Sequence, residues 1–84
     1  MSFQTFAKIN GIHLLKDDIV FIKACLAKMP SKSHKTILSR YAEEWLQGMR
    51  ETDIVYRRQN LGRRKANLWL LGVVGHGFRN SEMV

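Results

Sequence analysis

Residues 33–50, SHKTILSRYAEEWLQGMR, decide the fold. Leu38, Tyr41, Trp45 and Met49 recur at steps of three and four, which stacks them on one face of a helix. Ile37, Ala42 and Leu46 widen the stripe. Arg40, Glu43, Glu44, Gln47 and Glu51 belong on the solvent side. Ser31 or Ser33 is the candidate N-cap. Gly48 weakens the last turns by roughly 1 kcal/mol relative to alanine.

The same period appears upstream, in residues 14–29. Leu15, Ile19, Ile22, Leu26 and Met29 share one face, and Lys16 and Lys23 lie opposite. Asp17 and Asp18 suit the positive end of that helix. Pro30 ends it, because proline disfavours helical geometry in the residue before it. Residues 2–12 have two readings. In the favoured one, Ser2 caps a short helix that turns Phe3, Phe6 and Ile9 inward and stops at Gly11, a position that tolerates positive φ. The rival is a hairpin around Asn10-Gly11.

Downstream, residues 51–59 read as a turn capped by Thr52 or Asp53. A further helix runs to Leu71, with Leu61, Leu68 and Leu71 as candidate core contacts. It starts at Asn60, or runs straight through from Ile54 with a weak point at Gly62. Gly72 is the expected stop. The predicted architecture is all-α: a bundle of three to four helices over residues 1–72. A glycine-containing tail, flexible or docking, follows over residues 73–84.

Length and composition agree. The chain has 84 residues, 45% hydrophobic and 25% charged, which suits one domain near globular averages. So short a chain buries only about 60–65% of its unfolded surface, so dimerisation to a homodimer, or a partner, is a way to complete its core. Cys25 is the single cysteine, so no internal disulfide forms and a reducing cytoplasm is the expected setting. The N-terminal stretch is broken by Lys8, Asn10, Lys16, Asp17 and Asp18, unlike a secretory signal. No run reaches the ~18–20 apolar residues of a membrane span.

Charge is the outlier. Fourteen Lys and Arg against seven Asp and Glu give a formal net of +7, and a pI near 10.1. The densest run is Arg57, Arg58, Arg63, Arg64 and Lys65, uninterrupted by any acid. Phosphates are recognised electrostatically with release of counterions, and arginine's planar fork matches them bidentately. Gln59, Asn60 and Asn67 lie among these cations as candidate contacts to bases or backbone. Lys28, Lys32, Lys35 and Arg40 form a second set around Pro30. Leu61 and Leu68 project between the basic pairs, so the helix either bends near Gly62 or lays arginine stems over the core edge. Trp45 and Tyr41 lie on the apolar stripe, so core is their better reading. Core also leads for Trp69, while Tyr56 is open between core and a stacking platform.

Other chemistries lack their residues. His13, His34 and His76 are scattered and, with one cysteine, make no spaced zinc set. Cys25 reads as a small core residue. Adjacent Glu43 and Glu44 point about 100° apart on a helix, which suits a solvated face. There is no phosphate-loop or dinucleotide fingerprint. No metal, no cofactor and no enzyme activity are expected.

Two segments, Arg40-Tyr41-Ala42-Glu43-Glu44-Trp45-Leu46 and Gly62-Arg63-Arg64-Lys65-Ala66-Asn67-Leu68-Trp69-Leu70, resemble stretches in small helical proteins carried by bacteriophages and other mobile elements. The resemblance covers roughly a third of the chain. It implies a bacterial cytoplasmic setting and a regulatory or host-interaction role.

The leading expectation is a small nucleic-acid-binding protein. Arg57, Arg58, Arg63, Arg64 and Lys65 hold phosphates of DNA or RNA, and Lys32, Lys35 and Arg40 assist. The alternative is a protein-interaction module or inhibitor that docks on an acidic host protein. Peripheral membrane attachment ranks third, because basic and apolar residues interleave near Leu61 instead of facing each other.

Overall fold

In the computed structural model, which describes residues 2–83 and side chains up to Gly75, Ser2 opens the first helix. Its hydroxyl accepts the Thr5 N–H at 3.2 Å, a serine N-cap. Helix α1 spans Phe3–Asn10 and ends at Gly11, whose φ of 68° lies in the left-handed region. The helical reading of this segment therefore holds over the hairpin. Phe6 and Ala7 turn inward, but Ile9 is 67% exposed. It was expected in the core and projects from the other side.

Helix α2 spans Lys16–Leu26. Asp18 caps it from inside, its Oδ2 accepting the Leu15 N–H at 2.9 Å. Leu15 therefore precedes the first turn and stays exposed, while Ile22, Cys25 and Leu26 are buried. The chain turns at Pro30 through a 3-10 turn at Ser31–Ser33 into α3, His34–Arg50. Neither candidate serine supplies a side-chain cap. His34 fastens the corner instead: its Nε2 lies 2.7 Å from Leu26 O and 3.1 Å from Met29 O. Carbonyls only accept, so Nε2 carries the proton and satisfies the carbonyl end of α2.

A second 3-10 turn at Val55–Arg57 leads into α4, Arg58–Met83. The helix passes unbroken through Gly62 and through Gly72, so neither glycine is the bend or the stop expected of it. The proposed boundary at residue 73 falls inside this helix, and the side chains of residues 76–84 lie outside the described set. The fold is a small all-α bundle of four helices, and no strand occurs among the described residues. α3 and α4 run antiparallel, Gly48 meeting Gly62 and Tyr41 meeting Asn67. α4 packs along α3 and, more briefly, on α2.

The α3–α4 crossing is set by two glycines. A methyl group on Gly48 would lie 2.7 Å from Leu61 O and 2.9 Å from Gly62 Cα. A methyl group on Gly62 would strike the Trp45 ring and lie 2.6 Å from Trp45 O. The backbones touch here, so Gly48 loses helix propensity and gains close packing. The contact seats Trp45, which is fully buried with Tyr41, Ile22 and Leu70. Each buried aromatic removes about 150–250 Å² from water. At ~25 cal/mol per Å² that is on the order of 4–6 kcal/mol. The core face of α4 is Gly62, Ala66 and Leu70, at steps of four. Leu68 and Leu71, expected in the core, are 60% and 58% exposed. Small residues won because the helices approach too closely for leucine at the crossing.

Candidate nucleic-acid interface

The basic run divides by helix face. Gln59, Arg63 and Asn67 are four residues apart, so they stand in one row on α4. That row faces the protein. Asp18, with its side chain 5% exposed, accepts from Arg63 Nε at 2.8 Å and Asn67 Nδ2 at 3.3 Å. Arg63 also donates to His13 O at 2.9 Å and Asn60 Oδ1 at 2.7 Å. Its guanidinium lies 5.1 Å from the Trp45 ring centre. Tyr41 donates to Asn67 Oδ1 at 2.5 Å. Gln59 Oε1 accepts from Trp45 Nε1 and from His13 N, both at 2.9 Å. This network ties the α1–α2 loop, α2 and α3 to α4, and its buried polar atoms are satisfied as such atoms must be. Arg63, Gln59 and Asn67 thus spend their polar atoms on partners within the protein.

Two titrations reflect the burial. The Tyr41 hydroxyl is pushed well above its ordinary value, chiefly by burial and next by the Asp18 charge, with Arg63 opposing. Burial also raises the Cys25 thiol, with Lys28 opposing. Cys25 is accordingly a core residue. Among the described residues, no His, Cys, Asp or Glu cluster is arranged to hold a metal. No helix there is long and apolar enough to cross a membrane.

Two more expected site residues are paired. Arg40 lies 3.6 Å from both Glu43 and Glu44 and 5.6 Å from the Trp69 ring centre. Lys65 lies 3.4 Å from Glu51. Such exposed pairs contribute about 0–1 kcal/mol each, so they are easily exchanged for a phosphate. Arg57, Arg58 and Arg64 have no carboxylate within ion-pair distance among the described residues. Arg58 Nε is buried with no hydrogen-bond partner.

The structure adds Arg50, which sequence reading missed. It ends α3 and shares a shallow depression of about 360 Å³ with Arg58, Thr52, Asp53, Leu46 and Met49. At this α3–α4 corner Arg50 also lines a second depression with Lys65, Glu43 and Glu44, while Arg57, on the 3-10 turn, and Arg64, on α4, are exposed. Lys32 and Lys35, though exposed, stand at the other end of α3. Its 17 residues separate the two sets by about 25 Å. They do not join the corner patch.

At the corner's tip, Ile54, Val55 and Tyr56 are 40%, 74% and 78% exposed. The 3-10 turn holds them there through Arg57 N–H to Ile54 O at 3.0 Å and Ile54 N–H to Thr52 Oγ1 at 3.1 Å. The Arg57 guanidinium lies 5.8 Å from the Tyr56 ring centre. Tyr56 is therefore surface, while Tyr41 and Trp45 are core as expected. Comparison with family models, curated proteins and solved structures found no match.

Proposed function

We propose that the protein binds nucleic acid through the α3–α4 corner. One observation carries the reading: Arg50 at the end of α3, Arg57 on the turn, and Arg58 and Arg64 early in α4 have no carboxylate within ion-pair distance among the described residues. α4 also begins at Arg58, so the positive end of its dipole faces the same corner. These cations, free of ion pairs among the described residues, are of the kind a phosphate backbone binds with release of counterions. A regulatory role by occupancy follows the resemblance to proteins of mobile elements.

Titration against labelled DNA and RNA at several salt concentrations tests it. Neutralising about four phosphates gives a log–log salt slope near −3 on a single strand or near −4 on a duplex. Replacing Arg57 and Arg64 with alanine removes about half of that slope and leaves the fold intact. No binding at low salt ends the reading.

A second reading, docking on an acidic host protein, is supported by Leu68 and Leu71, exposed on the same helix as Arg64. Replacing both leucines with serine separates the two. Nucleic-acid affinity stays unchanged under the first reading, and a protein complex is lost under the second.

A further inference from the structure

We infer that the turn Ile54–Arg57 is a base-stacking tip and that the strand it takes is single-stranded, with one unpaired base on the exposed ring of Tyr56. This rests on the nucleic-acid reading above and names its substrate class.

The ring geometry favours it. Tyr56 stays 78% exposed, with the Arg57 guanidinium 5.8 Å from its ring centre, so the ring is largely open to solvent. An aromatic face so presented is costly to leave in water and fits another flat ring. Bases in a duplex are already stacked on each other, whereas an unpaired base has a free face. Ile54 and Val55 extend the apolar surface beside the ring. Arg57, 5.8 Å from the ring centre, stands close enough to bind the phosphate adjoining a base stacked on Tyr56. Arg58 and Arg64 continue the cationic track, so charge complementarity selects a polyanion that also carries planar rings.

The shape of the corner disfavours a duplex. A helix read into a major groove presents a continuous polar face. α4 offers Arg64 and then the exposed Leu68 and Leu71. The protruding element is a single turn held by its own hydrogen bonds, so it enters the contact already ordered.

The experiment uses the full chain and follows fluorescence anisotropy of a labelled thymidine homopolymer and of a mixed-sequence duplex, both at low salt. The single strand is expected to bind about tenfold more tightly. Tyr56→Ala loses about tenfold on the strand and less than twofold on the duplex, while Tyr56→Phe binds as wild type. A homopolymer lacking its bases but keeping its phosphates binds the native chain more weakly, and Tyr56→Ala weakens it no further. Circular dichroism melts check that each variant is folded. Equal affinity for strand and duplex, with Tyr56→Ala silent, overturns the inference and leaves the corner as a general phosphate surface. Absence of binding to either overturns both. Tyr56-dependent sedimentation with phosphatidylserine vesicles, without strand binding, replaces the strand with a membrane surface and overturns both as well.

Discussion

Replacing Gly62 with alanine sets two effects of opposite sign against each other. Alanine is favoured over glycine in a helix interior by about 1 kcal/mol, so helix propensity alone predicts stabilisation. At this crossing the new methyl would strike the Trp45 ring and sit 2.6 Å from Trp45 O. An ordinary contact is near 3.5–4.0 Å, so the helices must separate by roughly an ångström. Trp45 cannot step aside, because it is fully buried and its indole N–H is bound to Gln59. Overpacking of this kind costs about 1–3 kcal/mol. The obstacle here is partly backbone, which places the cost in the upper part of that range. The net is a loss of about 1–2 kcal/mol, or a Tm lower by about 4–16 °C for a domain of this size. Thermal and urea unfolding followed by circular dichroism measure it. Gly72→Ala is the internal control. Nothing lies within 4 Å of its added methyl, so the same substitution raises stability by up to about 1 kcal/mol. If Gly62→Ala melts at or above the wild-type temperature, the close approach of α3 and α4 is refuted.

Arg63→Met is expected to destabilise by about 3–5 kcal/mol in urea melts, because it leaves the buried Asp18 carboxylate without its counter-charge. Arg57→Ala, by comparison, changes stability by less than about 0.5 kcal/mol. Cys25, buried with a raised thiol, is expected to react with a disulfide reagent only as the chain opens, so its rate climbs with denaturant. Equal rates in native and denaturing buffer would contradict the core placement. Tyr41 is held protonated in the fold, above its ordinary value of 10.0. That stabilisation is fully present below pH 10 and is lost as pH rises beyond it. Tyr41→Phe is expected to flatten the alkaline decline in stability.

Much of the fold was legible because amphipathic period is strong where packing is generous. Of the stripe Leu38, Tyr41, Trp45 and Met49 read from spacing, Tyr41 and Trp45 are fully buried, and Leu38 and Met49 partly, with the flanking Ile37 and Ala42 buried in their place; the capped α1 between Ser2 and Gly11 was legible too. Where helices approach closely, residue size misleads. Gly62 and Ala66 occupy the buried face of α4, and the larger Leu68 and Leu71 stand outside. Hydrophobic period weighs leucine above glycine and therefore rotates the helix the wrong way.

The candidate site was half legible for a related reason. Charge density pointed to residues 57–65, but density does not say which way a side chain turns. Gln59, Arg63 and Asn67 at steps of four held the missing signal. A polar row opposite a lone acid such as Asp18 reads as a structural ladder once the acid is placed on the facing helix. Arg50 escaped notice because it lies on a different element and joins the corner only through the tertiary fold. Tyr56 could not be assigned from sequence, since a turn residue has no periodicity to place it.

The partners of Asp18 have a bearing on synthesis. The guanidinium that compensates its charge lies 45 residues further along the chain, and the amide that completes its bonding lies 49 further. A nascent polypeptide emerging from the ribosome must keep this carboxylate hydrated until the fourth helix arrives. A fragment ending before Arg63 lacks the positive charge that faces Asp18 in the fold, so it leaves that carboxylate uncompensated.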